Sequence, residues 1–244
     1  MAPSSTGVAL EQFGTTSELV AATASALIAE VVAAGQRNQR FSLGLSGGRV
    51  ARSLYEEVVR RSAETAVPWH VVDFFWADER CVPPDHPDSN FLQADEVLLR
   101  PLNIPRHHVF RLRGELDPAA AAIMASSQVR ENIAAGAGGL PALDLVLLGM
   151  GEDGHIASLF PDAPAVVVES NEPFLAIMDS PKPPSQRITM GYALLKAAKS
   201  VRVIVASGDK REMLRSSLSE EGCSSLAKLI RMRTETTILT DQKV

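Results

Sequence analysis

Apolar positions along the chain fall into short continuous runs and longer stretches of helical spacing. Leu19, Val20, Leu27, Ile28, Val31 and Val32 recur at helix period between a Thr16 or Ser17 cap and Gly35, which predicts a first helix. Phe41 to Leu45 is a short buried-strand run; it breaks through Ser46-Gly47-Gly48 into a helical pattern from Val50 to Arg61, with Leu54, Tyr55 and Val58 on one side. Further strands are expected over Trp69–Trp76, Leu143–Leu148, Phe174–Met178, Val201–Ala206 and Thr236–Leu239. Helices are expected after a Ser89-Asn90 cap, from Asp117-Pro118 to about Ala135, from Ala193 to Lys199, and from the Gly208-Asp209-Lys210 turn to about Leu218. Strand and helix alternate throughout without an internal repeat, which predicts an α/β fold with a mostly parallel sheet, residues 1–244 forming one domain.

The stretch from Leu143 to Pro161 carries the densest chemistry. An apolar strand runs into Gly149, Gly151 and Gly154, with Asp153, His155 and Ser158 around them. Gly149-x-Gly151-x-x-Gly154 matches a dinucleotide fingerprint, but that site needs a full helix after the third glycine. Pro161 and Pro164 leave room for barely two turns, and Glu152-Asp153 would face the pyrophosphate. The stretch therefore reads as an active-site turn, with His155 beyond the carboxyl end of a buried strand, where open parallel sheets place ligands.

Other strand ends carry polar groups. The Ser46-Gly47-Gly48 turn, followed by Arg49, offers backbone N–H groups and a helix N-terminus to a phosphate, without the Gly-Lys-Ser/Thr of a Walker loop. Asp78-Glu79-Arg80 leaves the Trp69–Trp76 strand into a proline-stiffened loop; read blandly, it is a solvated acidic loop. Lys182 and Arg187 lie in a second proline-rich loop, and Lys210 at a third strand-to-helix turn.

Composition narrows the classes. A net charge of −5 over 244 residues argues against nucleic acid or an anionic membrane as the main partner. Cys81 and Cys223 stand apart with no ligand-spaced histidine, so neither zinc nor a disulfide framework is indicated, and reduced thiols fit a cytoplasmic protein. The first ten residues, MAPSSTGVAL, have no basic region, so no targeting segment is expected, and the apolar stretch Ala21–Ala34 reads as too short to span a bilayer.

Taken in order, Ser46-Gly47-Gly48, Asp78-Glu79-Arg80-Cys81-Val82-Pro83, Ser89-Asn90, the Gly149–Pro161 stretch, Ser180-Pro181-Lys182-Pro183-Pro184-x-x-Arg187-Ile188-Thr189 and Gly208-x-Lys210 make the chain resemble the 6-phosphogluconolactonase family from about Val8 to Asp241. The resemblance implies a Rossmann-like three-layer α/β sandwich, shared with glucosamine-6-phosphate deaminase. It implies hydrolysis of 6-phospho-D-glucono-1,5-lactone to 6-phosphogluconate in the oxidative pentose phosphate pathway, with no metal, no cofactor and no obligate protein partner. It puts the catalytic histidine on His155 with Asp153 beside it, and sugar and phosphate contacts on Ser46, Gly47, Gly48, Arg80, Arg187, Lys182 and Lys210. Asp78, Glu79, Arg49 and Gly151 complete the candidate set; Arg49 stands where many members carry a smaller residue.

A lactone is an activated ester, so the chemistry asks for a placed water, a base near neutral pKa and oxyanion donors. His155 is the expected base, oriented by Asp153 or Glu79. Ser158 as a nucleophile lacks a Gly-x-Ser-x-Gly elbow. The Asp-Glu-Arg loop and the Pro-Lys-Pro-Pro segment are the wrong signatures for the deaminase. A non-catalytic sugar-phosphate sensor would be expected to lack the base or to carry a DNA-binding segment.

Overall fold

The computed structural model describes residues 7–206 and 210–244. In chain order the elements are β1 (Gly7–Gln12), α1 (Thr16–Gln36), β2 (Phe41–Leu45), α2 (Arg49–Ser62), β3 (Val72–Trp76), β4 (Asp78–Arg80), α3 (Asn90–Ala94), β5 (Val109–Phe110), α4 (Pro118–Asn132), β6 (Leu145–Gly149), α5 (Ala165–Val168), β7 (Phe174–Ile177), β8 (Arg187–Met190), α6 (Tyr192–Ala197), β9 (Ser200–Val205), α7 (Arg211–Leu218), α8 (Ser225–Met232) and β10 (Glu235–Thr240).

Seven strands form one sheet in the order β1-β10-β9-β6-β2-β3-β5, and every neighbouring pair is parallel. Helices flank this sheet, as the α/β reading requires. The continuous apolar runs have their cause in that cover: all five residues of β2 are buried, as are Leu145 to Leu148 of β6. Chain order runs outward from β2 through β3 to β5 on one side, and from β6 through β9 to β10 on the other. The switch point between β2 and β6 opens a crevice beyond their carboxyl ends. A second, antiparallel sheet of order β4-β8-β7 stands beside it.

Helix α1 is capped by Thr15 rather than Thr16 or Ser17, the Thr15 hydroxyl accepting the Glu18 N–H at 3.1 Å. At 21 residues, with a mean hydropathy of 1.6 over its best window, α1 is long and apolar enough to cross a membrane, contrary to the length read from the sequence. It packs Leu19, Ala24, Leu27, Val31 and Ala34 into the core. The expected Trp69–Trp76 strand begins only at Val72, because Trp69–Val71 closes a tight helical turn first. No helix follows Gly154 before the four residues of α5, so the dinucleotide geometry is missing from the described residues.

Candidate active site

A cavity of about 420 Å³ opens over the carboxyl ends of β2, β6 and β9, three neighbouring strands. Ser46, Gly47, Gly48 and Arg49 line it from β2, Gly151 and His155 from β6, Lys210 from the turn after β9, and Asp78, Arg80 and Arg187 from the second sheet. Ten of the thirteen residues singled out in the sequence therefore share one cavity; Asp153, Lys182 and Glu79 are not among its lining residues. Gly208 and Asp209 of the third turn lie outside the described residues.

The turn after β6 is closed by its own backbone. The Gly151 N–H donates to the His155 carbonyl at 2.8 Å and the Gly154 N–H to the Gly151 carbonyl at 3.0 Å. The closure folds the His155 ring back over Gly151, where an added Cβ would lie 2.1 Å from both Cε1 and Nδ1 of the ring. Only glycine leaves room for the imidazole there. The opposite flank of the ring meets Phe160 at a centroid distance of 4.8 Å.

His155 Nδ1 lies 2.5 Å from Asp153 Oδ1. A carboxylate can only accept, so Nδ1 carries the proton in neutral His155 and Nε2 keeps its lone pair. Nε2 has no hydrogen-bond partner among the described residues. Burial lowers the His155 pKa below its usual 6.5, with Asp153 pulling the other way, so the ring is neutral at pH 7. Asp153 is itself held below the usual carboxylate range: its bond to His155 and the Lys182 ammonium, 3.5 Å away, outweigh its own burial.

Glu79 does not orient His155, as the sequence left open. Its two oxygens accept the backbone N–H groups of Arg80, Asn90 and Phe91 and the Ser89 hydroxyl, at 2.7 to 3.0 Å. It therefore ties the Asp78–Arg80 strand to the start of α3. Burial pushes its carboxyl up to about 7 in spite of those donors. Asp78, also buried, accepts the Ser158 hydroxyl at 2.7 Å and the Asn90 amide at 3.2 Å. Ser158 is fully buried and its hydroxyl committed to Asp78, a poor setting for a nucleophile.

Asp78-Glu79-Arg80 is thus a strand rather than a solvated loop, paired antiparallel with β8 so that Arg80 stands opposite Arg187. Arg80 donates from Nη1 to the Asp88 carbonyl at 2.6 Å, and its buried Nε has no partner. Arg187 is buried; its Nε donates to the Pro184 carbonyl at 2.7 Å and its Nη2 to those of Lys182 and Pro183 at 3.1 Å each. Only Nη1 is left for a ligand among the described residues. In the turn after β2, the Ser46 hydroxyl is anchored on the Leu147 carbonyl at 2.6 Å, and Gly48 caps α2 without a side chain. Burial holds the Lys210 ammonium below the usual lysine range; Arg49 and Lys182 add repulsion, against Glu152 and Asp241. Among the described residues no cluster of three or more metal-ligating side chains occurs.

The fold and this cavity define an α/β protein with an aspartate-paired histidine beside a glycine turn flanked by cationic side chains. Residues 14–239 match the family described as "Glucosamine-6-phosphate isomerases/6-phosphogluconolactonase", and the chain belongs to it. A 6-phosphogluconolactonase of Nostoc sp. is 36% identical over 197 residues, covering 80% of this chain and 79% of that protein. The chloroplastic 6-phosphogluconolactonase 3 of Arabidopsis thaliana is 36% identical over 75% of this chain, which spans only 57% of that protein's length. Among solved structures, the 6-phosphogluconolactonase of Trypanosoma brucei superposes with a TM-score of 0.82 at 26% identity, covering 95% of each chain.

Proposed function

We propose that the chain hydrolyses 6-phospho-D-glucono-1,5-lactone to 6-phospho-D-gluconate in the oxidative pentose phosphate pathway, with His155 as general base. The observation that carries this reading is the His155–Asp153 pair, with His155 lining the cavity and its Nε2 without a partner among the described residues; a proton on Nδ1 then leaves Nε2 free to act as a base. Nε2 takes a proton from a water as its oxygen bonds to the lactone carbonyl carbon. When the tetrahedral intermediate collapses, the ring C–O bond breaks, and the imidazolium returns its proton to the departing ring oxygen. The carboxylic acid so formed ionises and releases one proton per turnover.

Arg80 and Arg187, side by side on the β4–β8 ladder, supply positive potential for the developing oxyanion. The phosphate is assigned to the Ser46-Gly47-Gly48 turn, Arg49, Lys210 and the N-terminus of α2. Gly151 makes room for the base, and Asp78 holds Ser158 and Asn90 in the wall behind it. None of these steps calls on a metal or an organic cofactor. Residues 1–244 are read as one domain acting on a small molecule without nucleic acid, membrane or obligate protein partner. A cytoplasmic setting suits its free cysteines; burial pushes the Cys81 thiol up to about 11, which disfavours the thiolate at neutral pH.

The test is proton release on adding freshly generated 6-phosphogluconolactone, corrected for spontaneous hydrolysis. The reading requires enzyme-dependent release and no ammonia from glucosamine-6-phosphate; ammonia without lactone hydrolysis would assign the site to the other chemistry of the family.

A further inference from the structure

The Ser46-Gly47-Gly48 turn has two glycines and no side-chain cap, and Gly48 sits at φ +103°. Such a segment has wide conformational freedom in isolation, so a cradle built on it needs outside support. At the Ser46 end the Tyr55 hydroxyl donates to the Ser46 carbonyl at 2.6 Å and accepts its N–H at 3.2 Å; at the Gly48 end the side-chain support comes from α3. Gln93 Nε2 donates to the Gly48 carbonyl at 2.7 Å, and Gln93 Oε1 accepts the Gly48 N–H at 3.1 Å. One primary amide thus meets both polar groups of one residue, in the only orientation that matches a donor to an acceptor at each end.

The same helix touches the preceding glycine. Asn90 Nδ2 donates to the carbonyl and carboxylate of Asp78, which turns Asn90 Oδ1 toward Gly47; an added Cβ on Gly47 would lie 1.9 Å from that oxygen. The start of α3 is fixed independently of Gln93, by the Ser89 cap on the Leu92 N–H and by Glu79 on the N–H groups of Asn90 and Phe91. Removing the Gln93 amide therefore loosens the Gly48 end of the turn, where the N–H loses its partner and the carbonyl keeps only the Arg52 N–H at 3.0 Å, without undoing the helix.

We propose that Gln93 is a positioning residue that holds the glycine turn in the shape that receives the phosphate of the substrate. This rests on the lactonase reading of the same cavity. Preorganising a binding loop lowers the ordering cost of the ligand that uses it. The turn belongs to the phosphate end of the cavity while His155 serves the carbonyl, so Gln93 acts on KM rather than kcat.

The experiment compares Gln93→Ala, and Gln93→Met as a variant that keeps side-chain bulk, with the unaltered protein. KM for the phosphorylated lactone and Kd for 6-phosphogluconate, read by calorimetry, should both rise roughly five- to fiftyfold, the worth of two hydrogen bonds. kcat should stay within about twofold, and hydrolysis of unphosphorylated gluconolactone should not change, as expected for lost ground-state binding. Gln93→Glu keeps the acceptor but sets a carboxylate against the Gly48 carbonyl, so it should bind at least as weakly as Gln93→Ala. Unchanged KM and Kd, a wild-type Gln93→Glu, or equal losses on both lactones together with a fall in thermal midpoint would overturn the proposal. If the unaltered protein hydrolysed no lactone, the reaction assignment would fail, while the Kd for 6-phosphogluconate would still report on the turn.

Discussion

Arg187 stands opposite Arg80 on the β4–β8 ladder, and it braces the carbonyls of Lys182, Pro183 and Pro184 with two of its three guanidinium nitrogens. The sequence marks it as a ligand contact; the structure gives most of its hydrogen bonds to its own loop. Arg187→Ala should therefore lower activity on phosphorylated and unphosphorylated lactone alike. It should also cost about 1.5–3 kcal/mol of stability, the worth of a hydrogen bond to a charged group. Kinetics on both substrates with a thermal melt check this; a defect confined to the phosphorylated lactone at unchanged melting temperature would return Arg187 to the phosphate.

Ser158→Ala separates water attack from a covalent route. The Ser158 hydroxyl is buried and donates to Asp78, so its loss should leave at least about a tenth of kcat, the usual scale for one hydrogen bond. A drop of several orders of magnitude, or a burst of bound product, would favour an acyl-enzyme.

Asp153→Asn should cut kcat by roughly 10²–10⁴, because an amide no longer imposes the tautomer that frees Nε2. Asp153 raises the His155 pKa against the lowering effect of burial. Without it the imidazole becomes still harder to protonate, and the acid limb of kcat/KM should move to lower pH. A limb that moved to higher pH would contradict the pairing.

Much of this was legible in the chain itself. The parallel strands announce themselves because burial on both faces demands unbroken apolar runs such as Leu145–Leu148, and prolines after Gly154 exclude a dinucleotide helix. What escaped has physical reasons. β4 is three charged residues whose pairing with β8 lies far away in sequence, so Asp78–Arg80 reads as a loop. β1 is an edge strand with a half-exposed pattern that looks like a tail. α8 did leave a signal, a Ser224 cap followed by Leu226, Leu229 and Ile230 at helical spacing. Gln93 leaves none, since its role depends on a turn about 45 residues away in the chain.

Glu79 predicts a pH-dependent stability. Its pKa rises from 4.5 to about 7 on folding, so the folded state holds that proton more tightly. The associated stability is fully present below about 4.5 and is lost as pH rises through about 7, on the order of 3 kcal/mol by linkage. Melting temperatures at pH 5, 6, 7 and 8 should fall less steeply for Glu79→Gln than for the unaltered protein; parallel curves would show that Glu79 stays ionised when folded.

Whether His155 is the base is decided by the pH profile of kcat/KM for the unaltered protein and His155→Gln. The unaltered protein should lose activity as pH falls below about 6.5, where a neutral histidine is lost, with the limb displaced to the acid side by burial of the ring. His155→Gln should show a kcat lower by roughly 10²–10⁴ and no such limb. A variant that kept more than about a tenth of the rate with the acid limb intact would place the base elsewhere.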